Sequence, residues 1–223
     1  MKNITLLIVM LLLTCCSSVI LVDDWKNPEI DNYEPYKALV VGLTSNNKAR
    51  QNFENKFKEE LQLRGTEAVS SLTLFDSAFK TKKMTEDDLN SLENKLIEDG
   101  FDTVILSKVI GVENKLAYNK NYKEDDEVYK KFKDEYFMYQ DIFYNPDYYQ
   151  EYKVYHIETT MYCICPTKDK ELIWKGYIDI VDPKSTDETI NDYVNLVIMA
   201  LEKHQLIASK TTLQKDTETT PIN

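Results

Sequence analysis

Four side chains late in the chain have types and spacings that could do chemistry: His156 and Glu158, two residues apart, and Cys163 and Cys165, also two apart. A histidine beside a carboxylate can act as a base with its orienter, and paired thiols can ligate a metal or close a disulfide. Same-face neighbours on an extended strand lie about 6.5–7 Å apart, whereas a disulfide needs Cβ atoms about 3.8 Å apart. A regular strand therefore keeps Cys163 and Cys165 as separate buried thiols. Zinc would need two more ligands from a chain with 2 histidines and no C-x-x-C, so neither metal nor cofactor is expected. His204, near the end of the last apolar stripe, suits the dipole of a helix C-terminus. Glu124-Asp125-Asp126-Glu127 lacks the alternating spacing of a calcium loop, and no G-x-S-x-G elbow occurs. No catalytic residue is expected, and His156 and Glu158 read as the solvated side of a strand.

That strand is legible from its alternation. Tyr155, Ile157, Met161, Cys163 and Cys165 share one face of residues 152–165, and His156, Glu158 and Thr160 share the other. Pro166 to Lys170 reads as a turn into residues 172–181, where Leu172, Trp174, Ile178 and Ile180 point one way and Lys175 and Asp179 the other, so the pair is an antiparallel hairpin. Ser185-x-x-Glu188 is a capping box, and Ile190, Val194, Val197, Ile198 and Leu201 draw the stripe of a final helix.

Upstream, Tyr36 to Leu43 is a nearly continuous apolar run, the mark of a strand covered on both faces. Ser45 or Asn46 can cap a helix through Ala49, Phe53, Phe57 and Leu61, whose Lys, Glu and Asn fill the outer side, ending near Arg64-Gly65. Thr66 to Leu74 reads as a short strand, Thr85-x-x-Asp88 opens a helix stopped by Gly100, and Phe101 to Val109 is strand-like again. The expected fold is a single α/β domain over residues 36–208, with a mixed sheet of about five strands and about three helices packed on it. Its order is strand-helix-strand-helix-strand, a Tyr-rich insertion at about 110–151, a hairpin and a helix. Residues 16–35 read as a tether able to add an edge strand around Val19 to Trp25, and 209–223 as a disordered tail.

The insertion is the unusual part. Ten of the 15 tyrosines fall between Tyr118 and Tyr155. Val128, Phe132, Tyr136 and Tyr139 would line one side of a helix, whereas the Tyr-rich end could continue the hairpin as long strands. Rings covering a sheet edge is the plain reading; a contact surface built from Tyr136, Tyr139, Tyr144, Tyr148 and Tyr149 is the functional one. The charge excludes one class of partner: 38 Asp plus Glu against 27 Lys plus Arg leave -11 over 223 residues, without the basic stripe that nucleic acid requires.

The N-terminus has a short basic start, Met1-Lys2-Asn3, and about ten largely apolar residues from Ile4 to Leu13, too few to span a bilayer, before Thr14-Cys15-Cys16-Ser17. This resembles a bacterial lipoprotein signal, with residues 1–15 removed and Cys16 as the lipid attachment site, or Cys15 as the alternative acceptor. The resemblance implies a palmitate-type lipid anchor through N-terminal acyl chains, and Ser17 after the acceptor implies the outer membrane of a Gram-negative envelope, facing the periplasm. Trp25-Lys26-Asn27, KALVVGLTSNNKARQNFENKFKEEL, FDTVILSKV, YYQEYKVYHIETTMY and ELIWKGYIDIVDP resemble, over about residues 25–207, a group of small uncharacterised envelope lipoproteins. The order of elements is more distantly similar to the α/β domains of curli secretion and of the Tol system's periplasmic protein. The resemblance implies a noncatalytic interaction or assembly module with a possible envelope protein partner; the alternative is a lipid- or glycan-binding module using the tyrosines. Some similar proteins are labelled cardiolipin synthases, which would need H-x-K-x-x-x-x-D; His156 is followed by Ile157-Glu158 and His204 by Gln205-Leu206, so that role is not expected.

Overall fold

The run Lys37–Leu43 forms strand β2, and its alternate residues do enter two different cores: Ala38 and Val40 face one, Leu39 and Val41 the other. A strand without a polar face must be covered twice, and here the helices come from both sides. The computed structural model describes residues 18–74, 83–118, 131–140, 144, 149–165 and 171–210. Within these, the strands are β1 (Val19–Lys26), β2, β3 (Glu67–Ser70), β4 (Thr103–Tyr118), β5 (Tyr149–Cys163) and β6 (Leu172–Val181). The helices are α1 (Asn47–Gln62), α2 (Ser71–Leu74), α3 (Glu86–Glu98), α4 (Phe132–Tyr139) and α5 (Thr186–Lys203). One mixed sheet holds the strands in the order β1-β6-β5-β4-β2-β3, which bears out the α/β class.

β3 and β4 flank β2 on opposite sides, both parallel to it. The crossover through α1 therefore runs one way across the sheet and that through α3 the other, and two right-handed crossovers of opposite direction place their helices on opposite faces. Phe53, Phe57 and Leu61 of α1 and Tyr193, Val194, Val197 and Leu201 of α5 share the larger core with Ile105, Met161, Trp174 and Ile178. Leu92, Leu96 and Ile97 of α3 pack with Leu39, Val41, Val104, Leu106 and Phe101. The caps are those the sequence announces: Asn46 accepts from the Ala49 N–H, Thr85 and Asp88 close a capping box, and Ser185 accepts from the Glu188 N–H. Gly100, with φ +84°, ends the α3 region in the left-handed conformation that glycine allows without a Cβ clash.

The edge strand that the tether could add around Val19 to Trp25 is present: Val19–Lys26 pairs antiparallel with β6 and brings the sheet to six strands. Three expectations need correction. Ser71–Leu74 turns helical instead of extending β3. The cause is Glu54, fully buried, whose carboxylate accepts from Ser70 Oγ (2.6 Å), Ser71 Oγ (2.7 Å) and the Leu72 N–H (3.0 Å) and so draws the chain out of the strand. The outer side of α1 is likewise not simply solvated, since Arg50, Glu54 and Glu60 are buried along with Arg64 just beyond the helix. Lastly, β4 runs nine residues past Val109 to Tyr118, so the start of the expected insertion is strand. The hairpin turn at Pro166 to Lys170, residues 1–15, the Glu124–Glu127 run, Val128 and residues 211–223 of the expected tail lie outside the described residues.

Candidate functional site: an arm and the cleft at its root

β4 and β5 pair for their whole length, from Thr103↔Cys163 to Tyr118↔Tyr149. Their neighbours stop early. β2 pairs with β4 only as far as Lys108, and β6 with β5 only back to Val154. The Asp182 N–H still donates to the Lys153 carbonyl (2.8 Å), but from Lys115 and Tyr152 outward the two strands pair, among the described residues, with each other alone. Four residue pairs at about 3.4 Å per residue make an arm roughly 13 Å long that leaves the sheet as a two-stranded ribbon. A register shift between Val109 and Gly111 marks a β-bulge at its root. Alternation then puts Val112 and Leu116 on the same side as Tyr149 and Tyr155, together with Asn114, Glu151 and Lys153, and Val112 (52% exposed), Leu116 (66%) and Tyr149 (51%) are the exposed apolar and aromatic residues of that face.

At the root, a cleft of about 260 Å³ opens at the carboxyl end of β2 and beside Ser107, Lys108 and Val109 of β4, between the first turns of α1 and α5. Phe53, Tyr155, Ile157, Ile180 and Ile190 form its apolar wall, and Arg50, Ser107, Thr189 and Tyr193 its polar side. Ser107, Thr159 and Tyr193 join hydroxyls in the interior: Ser107 Oγ lies 2.8 Å from Thr159 Oγ1, the Tyr193 OH donates to Ser107 Oγ at 3.1 Å, and Thr159 also bonds to Tyr193. Burial pushes the Tyr193 phenol up to about 12, so it stays a neutral donor at any physiological pH. Arg50 is already engaged, by Glu54 Oε1 (2.9 Å) and Ser71 Oγ (2.9 Å). The volume is below the roughly 300–1,000 Å³ of ordinary small-molecule sites.

Of the contact residues expected from the sequence, Tyr136, Tyr144 and Tyr149 are exposed; Tyr139 belongs to α4, and Tyr148 lies outside the described residues. Phe132 and Tyr136 stack at 5.8 Å, and Tyr136 and Phe137 meet edge-on at 6.4 Å. The lipid attachment candidates Cys16 and Cys15 also lie outside the described residues.

His156 and Glu158 share a face, as their spacing requires, but each has its own cross-strand partners. His156 Nδ1 is 2.6 Å from Asp179 Oδ1 and its Nε2 is 3.5 Å from Glu113 Oε1, while Glu158 is paired with Lys108 (2.6 Å) and Lys175 (3.5 Å). The Lys108 ammonium, with Lys175 behind it, holds the Glu158 carboxyl below its usual range. The residues form a charge ladder across β4, β5 and β6, on the face where Val104 and Leu106 farther along β4 pack against α3, rather than a base with its orienter. His204 caps α5 and bonds to Asp24 on β1.

The expectation for Cys163 and Cys165 is overturned: they are joined in a disulfide, with Cα atoms 5.3 Å apart. A regular strand through both would hold them apart, but β5 ends at Cys163, which frees Ile164 and Cys165 to fold back. Among the described residues no group of three His, Cys, Asp or Glu is placed to hold a metal, and no helix is long and apolar enough to cross a membrane.

The cleft and the hydroxyl cluster are absent from the sequence reading. One signal was present: Ser107 and Thr159 stand at inward positions between apolar neighbours, where a polar side chain needs a partner.

No protein-family model matches the chain, and no curated protein does. Among solved structures, the PelC dodecamer from Paraburkholderia phytofirmans matches at 9% identity, covering 84% of this chain and 97% of that one, with a TM-score of 0.42. Lipoprotein GNA1162 from Neisseria meningitidis matches at 13% identity over 76% of this chain and 99% of that one, with a TM-score of 0.41. A PDZ domain protein from Parabacteroides distasonis matches at 12% identity over 80% of this chain and 34% of that one, with a TM-score of 0.36.

Proposed function

We propose that this protein is an acyl-anchored, noncatalytic module of the bacterial cell envelope that works by contact, through the arm of β4 and β5. The structural observation behind the reading is that ribbon. A pair of strands with no third strand beside it among the described residues is marginal in water, and exposed apolar residues along it, Val112 and Leu116, suit a surface that meets something. The sequence supports the anchor, since the short apolar run before Cys15-Cys16 is a signal too brief to span a bilayer. A second reading, a lipid- or glycan-binding module, draws on the exposed rings of Tyr136, Tyr144 and Tyr149.

The anchor is tested by growing cells that express the full chain with labelled palmitate. The expected result is label on the wild-type chain and on Cys15→Ser, and none on Cys16→Ser. Label lost with Cys15→Ser but kept with Cys16→Ser would move the attachment to the alternative cysteine. A chain that takes up no label and leaves with the soluble fraction would end the envelope-anchor reading.

A further inference from the structure

Strand β1 begins at the end of the sheet from which the arm leaves. β1 is antiparallel to β6, with Val19 opposite Ile180, and the Val181 N–H donates to the Ser18 carbonyl (2.7 Å). Val181 stands opposite Val154, and Val154 opposite Glu113. Ser18 is therefore level with Glu113, two residues before the arm begins at Lys115. Cys16 precedes Ser18 by two residues, a reach of at most about 7 Å. Tyr118 lies five residues beyond Glu113 along β4, about 17 Å at strand rise. With β1 locked into the sheet, no tether separates the lipid-bearing residue from the domain. A bilayer holding acyl chains on Cys16 thus lies nearer to the domain than the arm is long, and the arm must enter the headgroup region, roughly 5–7 Å deep per leaflet, or lie along it.

The arm's chemistry suits that position. Val112, Leu116 and Tyr149 lie on one side, with Asn114, Glu151 and Lys153 between them, continuing from Tyr155, Ile157 and Ile180 in the wall of the cleft. Apolar side chains with a tyrosine beside them match the boundary between headgroups and acyl chains, where one end of the ring is apolar and the other wet. Over residues 113–118 and 149–153 the charges are Glu113, Lys115, Glu151 and Lys153, which cancel, so this part of an acidic protein is not repelled by an anionic leaflet. The backbone also tolerates the site. The exposed edges of the ribbon can meet headgroups and interfacial water, which the hydrocarbon core would not provide.

We propose that the arm docks on the bilayer that holds the acyl chains, with Val112, Leu116 and Tyr149 in the interface, so that anchor and arm fix the domain end-on with its cleft facing the membrane. This rests on the lipoprotein reading and names the partner of the arm.

The test uses the full chain expressed in cells, with a photo-crosslinking residue placed at Leu116 or Tyr149, or, as a control, at Leu63. Leu63 is exposed at the C-terminal cap of α1, the opposite end of the molecule from the cleft. Palmitate label is read on each variant. The expected result is labelled protein carrying phospholipid adducts at 116 and 149, in excess over 63 on the order of tenfold, the contrast between an interfacial and an aqueous site. A labelled chain whose adducts at 116 and 149 are to another protein, or whose lipid adducts are equal at 63 and 116, overturns the docking while leaving the anchor intact. An unlabelled chain overturns both.

Discussion

A methyl group added at Gly176 would sit 2.3 Å from Cη2 and 2.7 Å from Cζ2 of Trp174, the neighbouring residue on the same side of β6. The indole lies along its own strand over the space a side chain would occupy, and so becomes fully buried. In that pose its Nε1–H donates to Asp24 Oδ2 (3.3 Å) on β1, and Asp24 also receives His204 from the cap of α5. A glycine with an ordinary strand conformation thus joins an edge strand, its neighbour and the last helix. Gly176→Ala is expected to push the indole off this seat and to destabilise the fold by about 1–3 kcal/mol, the usual cost of overpacking. Thermal melting of the purified domain checks this, and an unchanged melting temperature would show that Trp174 repacks without loss.

At the scale of elements, the arm and the sheet are separable. Outward of Asn114 and Lys153 the arm's exposed stripe contributes no core residue. Joining Asn114 to Lys153 through an Asn-Gly turn removes the arm together with the segment it carries. The two-residue connection is suited to the right-handed twist of the strands it would join. The shortened chain is expected to fold with its stability within about 1 kcal/mol of the original, read by urea unfolding, while losing the surface assigned to contact. Failure to fold would mean that the arm or its segment buttresses the sheet. The arm was hard to read in sequence for a physical reason: two-sided exposure erases alternation, so Gly111 to Tyr118 shows no strand period although the backbone is extended. The helices were legible because caps are local. Asn46, Thr85 and Ser185 each bond within three residues of themselves. Pairings between distant residues, such as His156 with Asp179 or Ser107 with Tyr193, leave no local trace. Helix α4 was half visible: the spacing of Phe132, Tyr136 and Tyr139 fits the helix found, but spacing does not say what a helix touches.

For the whole molecule, the charge that first excluded nucleic acid is partly internal. The excess of acid suggests a repelling surface, yet Glu54 and Glu60 are buried, and each is answered by an arginine four residues away, Arg50 at 2.9 Å and Arg64 at 2.7 Å. Burial alone would raise the Glu54 carboxyl; the hydrogen bonds from Ser70, Arg50, the Gly42 N–H and Ser71 outweigh it and leave it below its ordinary 4.5. Glu60 follows the same pattern, with Lys210 and Arg64 overcoming burial, and Glu158 is lowered chiefly by Lys108. A carboxyl whose value is lower folded than unfolded binds fewer protons in the folded state, so its contribution is complete above the unfolded value and disappears as pH falls through the folded one. The protein is therefore expected to hold its melting temperature at neutral pH and to lose it steadily from about pH 5 downward. Glu54→Gln separates this buried carboxylate from the general effect of acid. It keeps the shape but leaves the Arg50 guanidinium without its counter-charge, so stability at pH 7 should fall by about 3 kcal/mol, the cost of removing one partner from a buried ion pair. The variant should also lose less on acidification than the wild type, because one of the groups that must be protonated is gone. Parallel melting curves from pH 7 to pH 3 would show the two lines converging, and lines that stay parallel would place the acid sensitivity elsewhere than in Glu54.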